Sequence, residues 1–225
     1  MAAARAGGPE PPAPLLVACA LRIEEAALRS GGGRGAARPE PGHAVLRTGM
    51  GPRAAERAVG RALAEPRLHR ALVLATGFCA GLVPGMSPGD LVVAEETRDP
   101  RGAVACAGTA LLAEALARAA PGQAVHIGAL TGSDHVVRGQ ERAQLRATGA
   151  IAVDMESAAT LWTATRAAAG GRNRPVAAVR VIVDAPEHEL VRIGTLRGGI
   201  SAFRVLRAVL PAFHDWHRSL LLPRR

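Results

Sequence analysis

Apolar residues in this chain fall into short runs separated by segments rich in Ala and Arg. The runs at 15–21, 71–75, 91–94 and 176–183 are almost continuous, which predicts strands covered on both faces. Shorter runs at 43–47, 126–130 and 150–153 predict three further strands. Between them lie helical stretches at 22–29, 53–63, 109–119, 138–147, onward from Ser157, and 198–217. Pro52 suits the first turn of the second of these. Strands alternating with helices predict a single α/β domain built on a mixed, mostly parallel sheet flanked by helices. The expected organisation is a disordered Ala/Gly/Pro-rich leader over 1–13, a folded catalytic domain over 14–217 and a tail over 218–225.

Composition narrows the class. Nearly half the 225 residues are apolar (48%) and 21% are charged, a globular balance rather than a disordered one. No stretch reaches the roughly 18 uncharged apolar residues of a membrane-spanning helix, and the first residues lack the apolar core of a secretory signal. The formal charge is +9, yet all 28 basic residues are Arg, and they are scattered. With aromatics at 2%, little is available to stack on bases, so the composition argues against nucleic-acid binding. Cys19, Cys79 and Cys106 form no paired motif and read as free thiols of a reducing, cytoplasmic compartment. Without a His/Cys cluster, no metal site and no cofactor are expected. The stretch 213–225 carries Trp216 with flanking Arg; it suits either peripheral contact with a membrane surface or packing against the sheet or a neighbouring subunit.

In parallel sheets ligands collect at the carboxyl ends of strands, and the acidic and Gly-rich elements stand at such ends. Glu24 and Glu25 follow the first strand; the plain alternative is a solvated helix start. Asp154 and Glu156 stand at a strand-to-helix junction, where acids are also favoured for helix capping. Asp184 closes a very apolar strand and lies at the rim of any cleft. Arg180, inside that strand, needs a partner, and Glu156, Glu24 or Asp184 are the candidates. The dinucleotide fingerprint, the P-loop and the hydrolase serine elbow are missing from the sequence. The glycines at 49–51 and 77–81 instead allow backbone to approach a small ligand.

Taken in order, these segments resemble the nucleoside phosphorylase and nucleosidase superfamily, which contains purine nucleoside phosphorylases and methylthioadenosine/S-adenosylhomocysteine nucleosidases. The resemblance runs over roughly 15–213. It rests on the first strand followed by Glu24, Thr48-Gly49-Met50-Gly51, Thr76-Gly77 to Leu82 with 88–93, Thr131-Gly132-Ser133, 154–159 and Arg180 to Asp184. The segments 77–82 and 133–137 are closest to the hopanoid-associated branch, which is implicated in removing adenine from adenosylhopane.

The resemblance implies cleavage of an N-ribosidic bond. It makes Asp184 the general acid for the leaving purine, Glu24 the residue that positions water, and Arg180 an orienting group. Glu156 would hold the ribose hydroxyls and Met155 pack on the sugar face, with core filling the alternative for Met155. Gly77, Phe78, Ser133 and His135 would line the base and sugar pocket; as a lone histidine, His135 is equally readable as a loop residue. Ala75 and Phe78 stand where many phosphorylases carry anion-binding side chains, which favours water over phosphate as acceptor. Gly49, Gly51, Arg47 and Arg53 are the remaining phosphate-site candidates. A homo-oligomer acting on a nucleoside with a large apolar 5′ group is implied. The alternatives are a methylthioadenosine/S-adenosylhomocysteine-type nucleosidase, a purine nucleoside phosphorylase, or a non-catalytic nucleoside sensor or membrane-surface scaffold.

Overall fold

A computed structural model describes residues 11–30, 42–168, 173–186 and 195–222. Most of the expected leader and the last three residues of the expected tail lie outside these described residues. In chain order the elements are β1 (Leu15–Cys19), α1 (Arg22–Ser30), β2 (His43–Arg47), α2 (Pro52–Ala64), β3 (Leu72–Gly81), β4 (Leu91–Asp99) and β5 (Gly102–Ala105). There follow α3 (Thr109–Ala119), β6 (Val125–Gly132), α4 (Gln140–Ala147), β7 (Ala150–Asp154), α5 (Ser157–Arg166), β8 (Val176–Asp184), α6 (Thr195–Ala208) and α7 (Leu210–Leu221).

The eight strands form one mixed sheet. β1 pairs in parallel with β2 and β3, β3 with β8, β4 with β6, and β6 with β7. β4 runs antiparallel to β5 and β8, and the end of β3 meets β7 antiparallel at Ala80 and Gly81. The pairings β3–β8–β4–β6–β7–β3 therefore close on themselves, with β1 and β2 extending from β3. Such closure removes exposed edges from the strands that carry the site.

Strand periodicity explains the two cores. Leu15, Val17, Leu72, Leu74, Val179 and Val181 face one side, with α1, α3, α6 and α7 packed over them. Leu16, Ala18, Val73, Ala75, Ala178 and Ile182 face the other, under α2 and α5. Small side chains let the helices sit close to the sheet.

The structure differs from the sequence expectation in four places, one of them β4, which runs five residues past the expected Ala94 to Asp99 and pairs there with β5 and β6. β3 continues six residues past Ala75, because Gly77 and the residues around it pair with β8 before the strand bends to β7 at a register shift after Cys79. β5, a short edge hairpin strand, has no periodic signal of its own. The helix expected over 198–217 is two helices, since Pro211 removes an amide and so starts α7 rather than continuing α6.

Helix α7 is fixed to the body by its apolar face. Phe213 is fully buried and Trp216 is 1% exposed, with the indole N–H donating to the Ala107 carbonyl at 2.8 Å. His217 donates to the Ala13 carbonyl, also at 2.8 Å. The tryptophan that the sequence offers to a membrane surface is thus turned into the core. Among the described residues no helix is long and apolar enough to cross a membrane. Trp216→Ala should cost about 3–5 kcal/mol of stability in denaturant unfolding, the usual penalty for emptying a buried aromatic site. A loss below about 1 kcal/mol would mean that α7 is not part of the cooperative unit.

Candidate active site

The middle of β8 carries the charge around which the site is built. Arg180 is 1% exposed, and its Nε contacts Asp154 Oδ2 at 2.6 Å and donates to Ser157 Oγ at 2.9 Å. Its Nη1 donates to the Thr76 carbonyl at 2.8 Å. Burial works against the guanidinium's charge, but Asp154, Glu156 and Glu24 outweigh it, and the net shift is upward. The direct ion-pair partner is therefore Asp154, which was not among the three expected from the sequence. Asp154 also accepts from the Ser157 amide at the start of α5, so one carboxylate caps a helix and neutralises the buried cation.

Glu24 is 2% exposed, not the solvated residue a helix start suggests. It reaches back to accept the amides of Ala20 and Leu21, both at 2.8 Å, as the acid of a capping box does. Its other oxygen accepts the Phe78 amide at 2.8 Å. Gly77 makes this possible. It has φ +133°, and a Cβ there would stand 2.5 Å from Glu24 Oε1 and 2.6 Å from Arg180 Nη1. Any side chain at this position would displace one of the two charged groups.

Glu156 begins α5 but does not cap it with its side chain. It turns instead to the N-terminus of α2, where the Gly51 amide donates to Oε1 at 2.7 Å. Burial raises its pKa above the usual carboxylate value; Arg180 opposes this and Asp154 adds to it.

These groups meet a cavity of about 300 Å³ lined by Glu24, Glu156 and Asp184 together with Phe78, Met155 and His135 from the expected set. Met50, Cys79, Val136, Val137, Arg142 and Val183 complete a largely apolar wall. Met50 (70% exposed) and Val136 (62%) form its open lip. His135 stands at the mouth with Nδ1 2.7 Å from Asp134 and Nε2 3.0 Å from Glu141; Asp134 and then Glu141 raise its pKa. Asp184 is ion-paired with Arg142 of α4.

Other expected residues stand off the lining. Gly77 and Arg180 lie behind it, and the Ser133 hydroxyl is engaged within its own loop by the carbonyl and amide of His135. Gly49 and Gly51 shape the turn into α2, and the Gly51 amide already holds Glu156. Arg47 pairs with Glu25 at 3.1 Å, and Arg53 is exposed on α2 near Asp134. Burial pushes the thiols of Cys19 and Cys106 up to about 12 and that of Cys79 upward as well, which leaves no reactive thiolate among them at neutral pH. Sequence reasoning missed Arg142 and the pairing role of Asp154. Asp154 was legible as a helix-start acid; Arg142 has no local signal in a chain with 28 arginines.

The chain is an enzyme of the nucleosidase/phosphorylase class, and its closed mixed sheet carries a carboxylate-lined cavity. The chain belongs to the phosphorylase superfamily, whose family model matches residues 42–210. No curated protein sequence matches it. Among solved structures it is similar to the Neisseria meningitidis 5′-methylthioadenosine/S-adenosylhomocysteine nucleosidase in complex with methylthio-immucillin-A. That match has 22% identity and a TM-score of 0.69, over 89% of this chain and 98% of that one. It is also similar to the Streptococcus pyogenes S-adenosylhomocysteine nucleosidase (18% identity, TM-score 0.71, 92% and 98% covered). The Helicobacter pylori futalosine hydrolase matches at 16% identity and TM-score 0.70, over 90% and 97% of the two chains. At these identities the likeness is one of fold.

The raised pKa of Glu156 has a consequence for stability. The folded protein binds a proton there at higher pH than the unfolded chain, so the buried charge weakens folding above the folded-state pKa. That cost fades as pH falls through this value and is gone below the unfolded-state pKa. Glu156→Gln should therefore melt above wild type at about pH 7, with the gap closing towards about pH 4. A variant that melts below wild type at neutral pH would show that the buried carboxylate stabilises the fold.

Proposed function

We propose that this protein cleaves the N-glycosidic bond of an adenine nucleoside and releases adenine, with water favoured over phosphate as the acceptor. The observation that carries the reading is the convergence of Glu24, Glu156 and Asp184 on one cavity with Arg180 behind them. Breaking an N-ribosidic bond builds positive charge on the sugar, and preorganised carboxylates facing that charge lower the barrier. Around Arg180 the carboxylates outnumber the cation, so the floor of the cavity carries an excess of negative charge.

Glu156 accepts hydrogen bonds from the ribose hydroxyls, and Met155 packs against the sugar. Asp184 delivers the proton that lets the purine leave as a neutral base. A carboxylate offers about four acceptor positions. Backbone amides fill three on Glu24, and the remaining one orients the attacking water. Three features support water over phosphate. Glu156 occupies the Gly51 amide, Glu25 holds Arg47, and Ala75 and Phe78 bring no anion-binding side-chain group.

The 5′ substituent is a large apolar one, as in adenosylhopane of hopanoid biosynthesis. A cavity of about 300 Å³ is at the small end of ligand pockets, which span about 300–1,000 Å³. A nucleoside fills it, and a polycyclic hydrocarbon has to run out over Met50 and Val136. Covering such a tail yields about 25 cal/mol per Å² before ordering costs, so the apolar lip suits it, shared with a second copy of the chain in a cytoplasmic homo-oligomer. The second reading, a methylthioadenosine/S-adenosylhomocysteine-type substrate, is favoured by the fold neighbours that carry those names.

Competition between adenosylhopane and 5′-methylthioadenosine, with and without phosphate and read by mass spectrometry, tests these points. The expected result is preferred release of adenine from adenosylhopane with a free-sugar product. Preference for methylthioadenosine would establish the second reading, and a ribose 1-phosphate product would replace hydrolysis by phosphorolysis. Asp184→Asn should lower kcat by about 10²–10⁴-fold while nucleoside binding persists. The loss in Glu156→Gln should be smaller for a 2′-deoxy substrate, because that defect lies on the sugar. Near wild-type turnover by Asp184→Asn would remove the assignment of the acid.

A further inference from the structure

Two buried arginines of this chain are held in contrasting ways. Arg174 is held by backbone at all three of its nitrogens: Nε, Nη1 and Nη2 donate to the carbonyls of Ala164, Ala71, His69 and Ala167. It ties the end of α5 to the start of β3, and its contacts are all to the main chain. Arg142 is equally buried, yet it takes a single carbonyl, that of Val137 at 3.3 Å, and places Nη2 on the carboxylate of Asp184. Its Nη1 is buried without a hydrogen-bond partner among the described residues. Arg142 is also the one fully buried side chain of α4, and the helix delivers its guanidinium to the cavity wall. A structural arginine would use its donors as Arg174 does, since each unused buried N–H is costly. The arrangement is instead organised around one carboxylate of the candidate site.

We propose that Arg142 is the positioning residue of Asp184, holding its carboxylate at the cavity wall in the orientation from which it engages the leaving base. The inference rests on the nucleoside-cleaving reading above. A guanidinium fixed at both Nε and Nη2 has little freedom to rotate, so the carboxylate it grips is confined too. Misplacing a reacting group by about 1 Å can cost on the order of 10²-fold in rate. Arg142 makes its contribution through Asp184, without touching the sugar.

The test is a double-mutant cycle on steady-state adenine release, with thermal unfolding as a check on folding. Arg142→Met should lower kcat by about 10–100-fold with little change in KM. Arg142→Lys, which keeps a cation within reach of Asp184, should recover part of the loss. The double variant of Arg142→Met with Asp184→Asn should be no slower than Asp184→Asn alone, because residues that act as a unit are not additive. Should Arg142→Met fail to fold, Arg142→Gln carries the same comparison. Losses that multiply in the double variant, or an Arg142→Met with wild-type kcat, would overturn this inference and leave the nucleosidase reading standing. Wild-type protein that releases no base from either nucleoside would overturn both.

Discussion

A guanidinium in the interior of a central strand dictates much of what surrounds it. Arg180 sits on β8 between β3 and β4, where neighbouring positions are Val, Ala and Ile. An unpaired charge there would be prohibitive, so three other elements contribute groups to it. β7 supplies Asp154, α5 supplies Ser157, and β3 supplies both a carbonyl at Thr76 and the absent side chain at Gly77. Glu24 then fits against the same glycine and is fixed by three amides. The sheet does not merely present these groups; the need to solvate Arg180 with protein atoms joins the middles of β3 and β8 to the end of β7 and the start of α5.

The arrangement leaves an imbalance. Asp154 is enough to pair Arg180, yet Glu156 and Glu24 also lie within its field. Burial pushes Glu156 up, and the Gly51 amide and Arg180 offset only part of that push. A site optimised for stability alone would not carry this surplus of buried negative charge. Its persistence beside a cavity fits a site that meets positive charge arriving with, or developing on, a ligand.

Much of this was legible in the sequence, for specific reasons. The apolar runs of β1, β3, β4 and β8 are unambiguous because both faces of these strands are covered, and the elements at their ends stand out by contrast. Glu24 and Asp184 stand out because each follows or ends such a run, Glu156 stands at the junction after the shorter β7, and it was the family resemblance that gave all three their roles. Partnerships were harder. Asp154 and Glu156 are two residues apart at one junction, and only the turn between β7 and α5 decides that the first faces Arg180 and the second faces Gly51. Arg142 had no contrast at all. In a chain that writes every cation as Arg, a buried, paired arginine on a polar helix looks like its solvated neighbours. The break between α6 and α7 was obscured because the apolar spacing runs through Pro211 unchanged. The lost amide, rather than the pattern, ends the helix.

The N-terminus of α2 shows how one carboxylate links fold and chemistry. Helix starts attract anions because their first amides lack partners and the dipole favours negative charge. Here Gly49 and Gly51, both at positive φ, shape the turn into α2, and the Gly51 amide faces Glu156. In a site built for an inorganic anion, that amide would be left for the anion. Glu156 takes it instead, arriving from the start of α5 on the opposite side. The same contact that meets the start of α2 therefore holds the carboxylate at the cavity and occupies an amide that an anion would otherwise use. Arg47 is held by Glu25 outside the cavity, and among the described residues the arginine on the lining is Arg142, its guanidinium committed to Asp184. The carboxylates on this lining thus outnumber its arginine, a balance that favours a ligand bringing positive charge over a second anion.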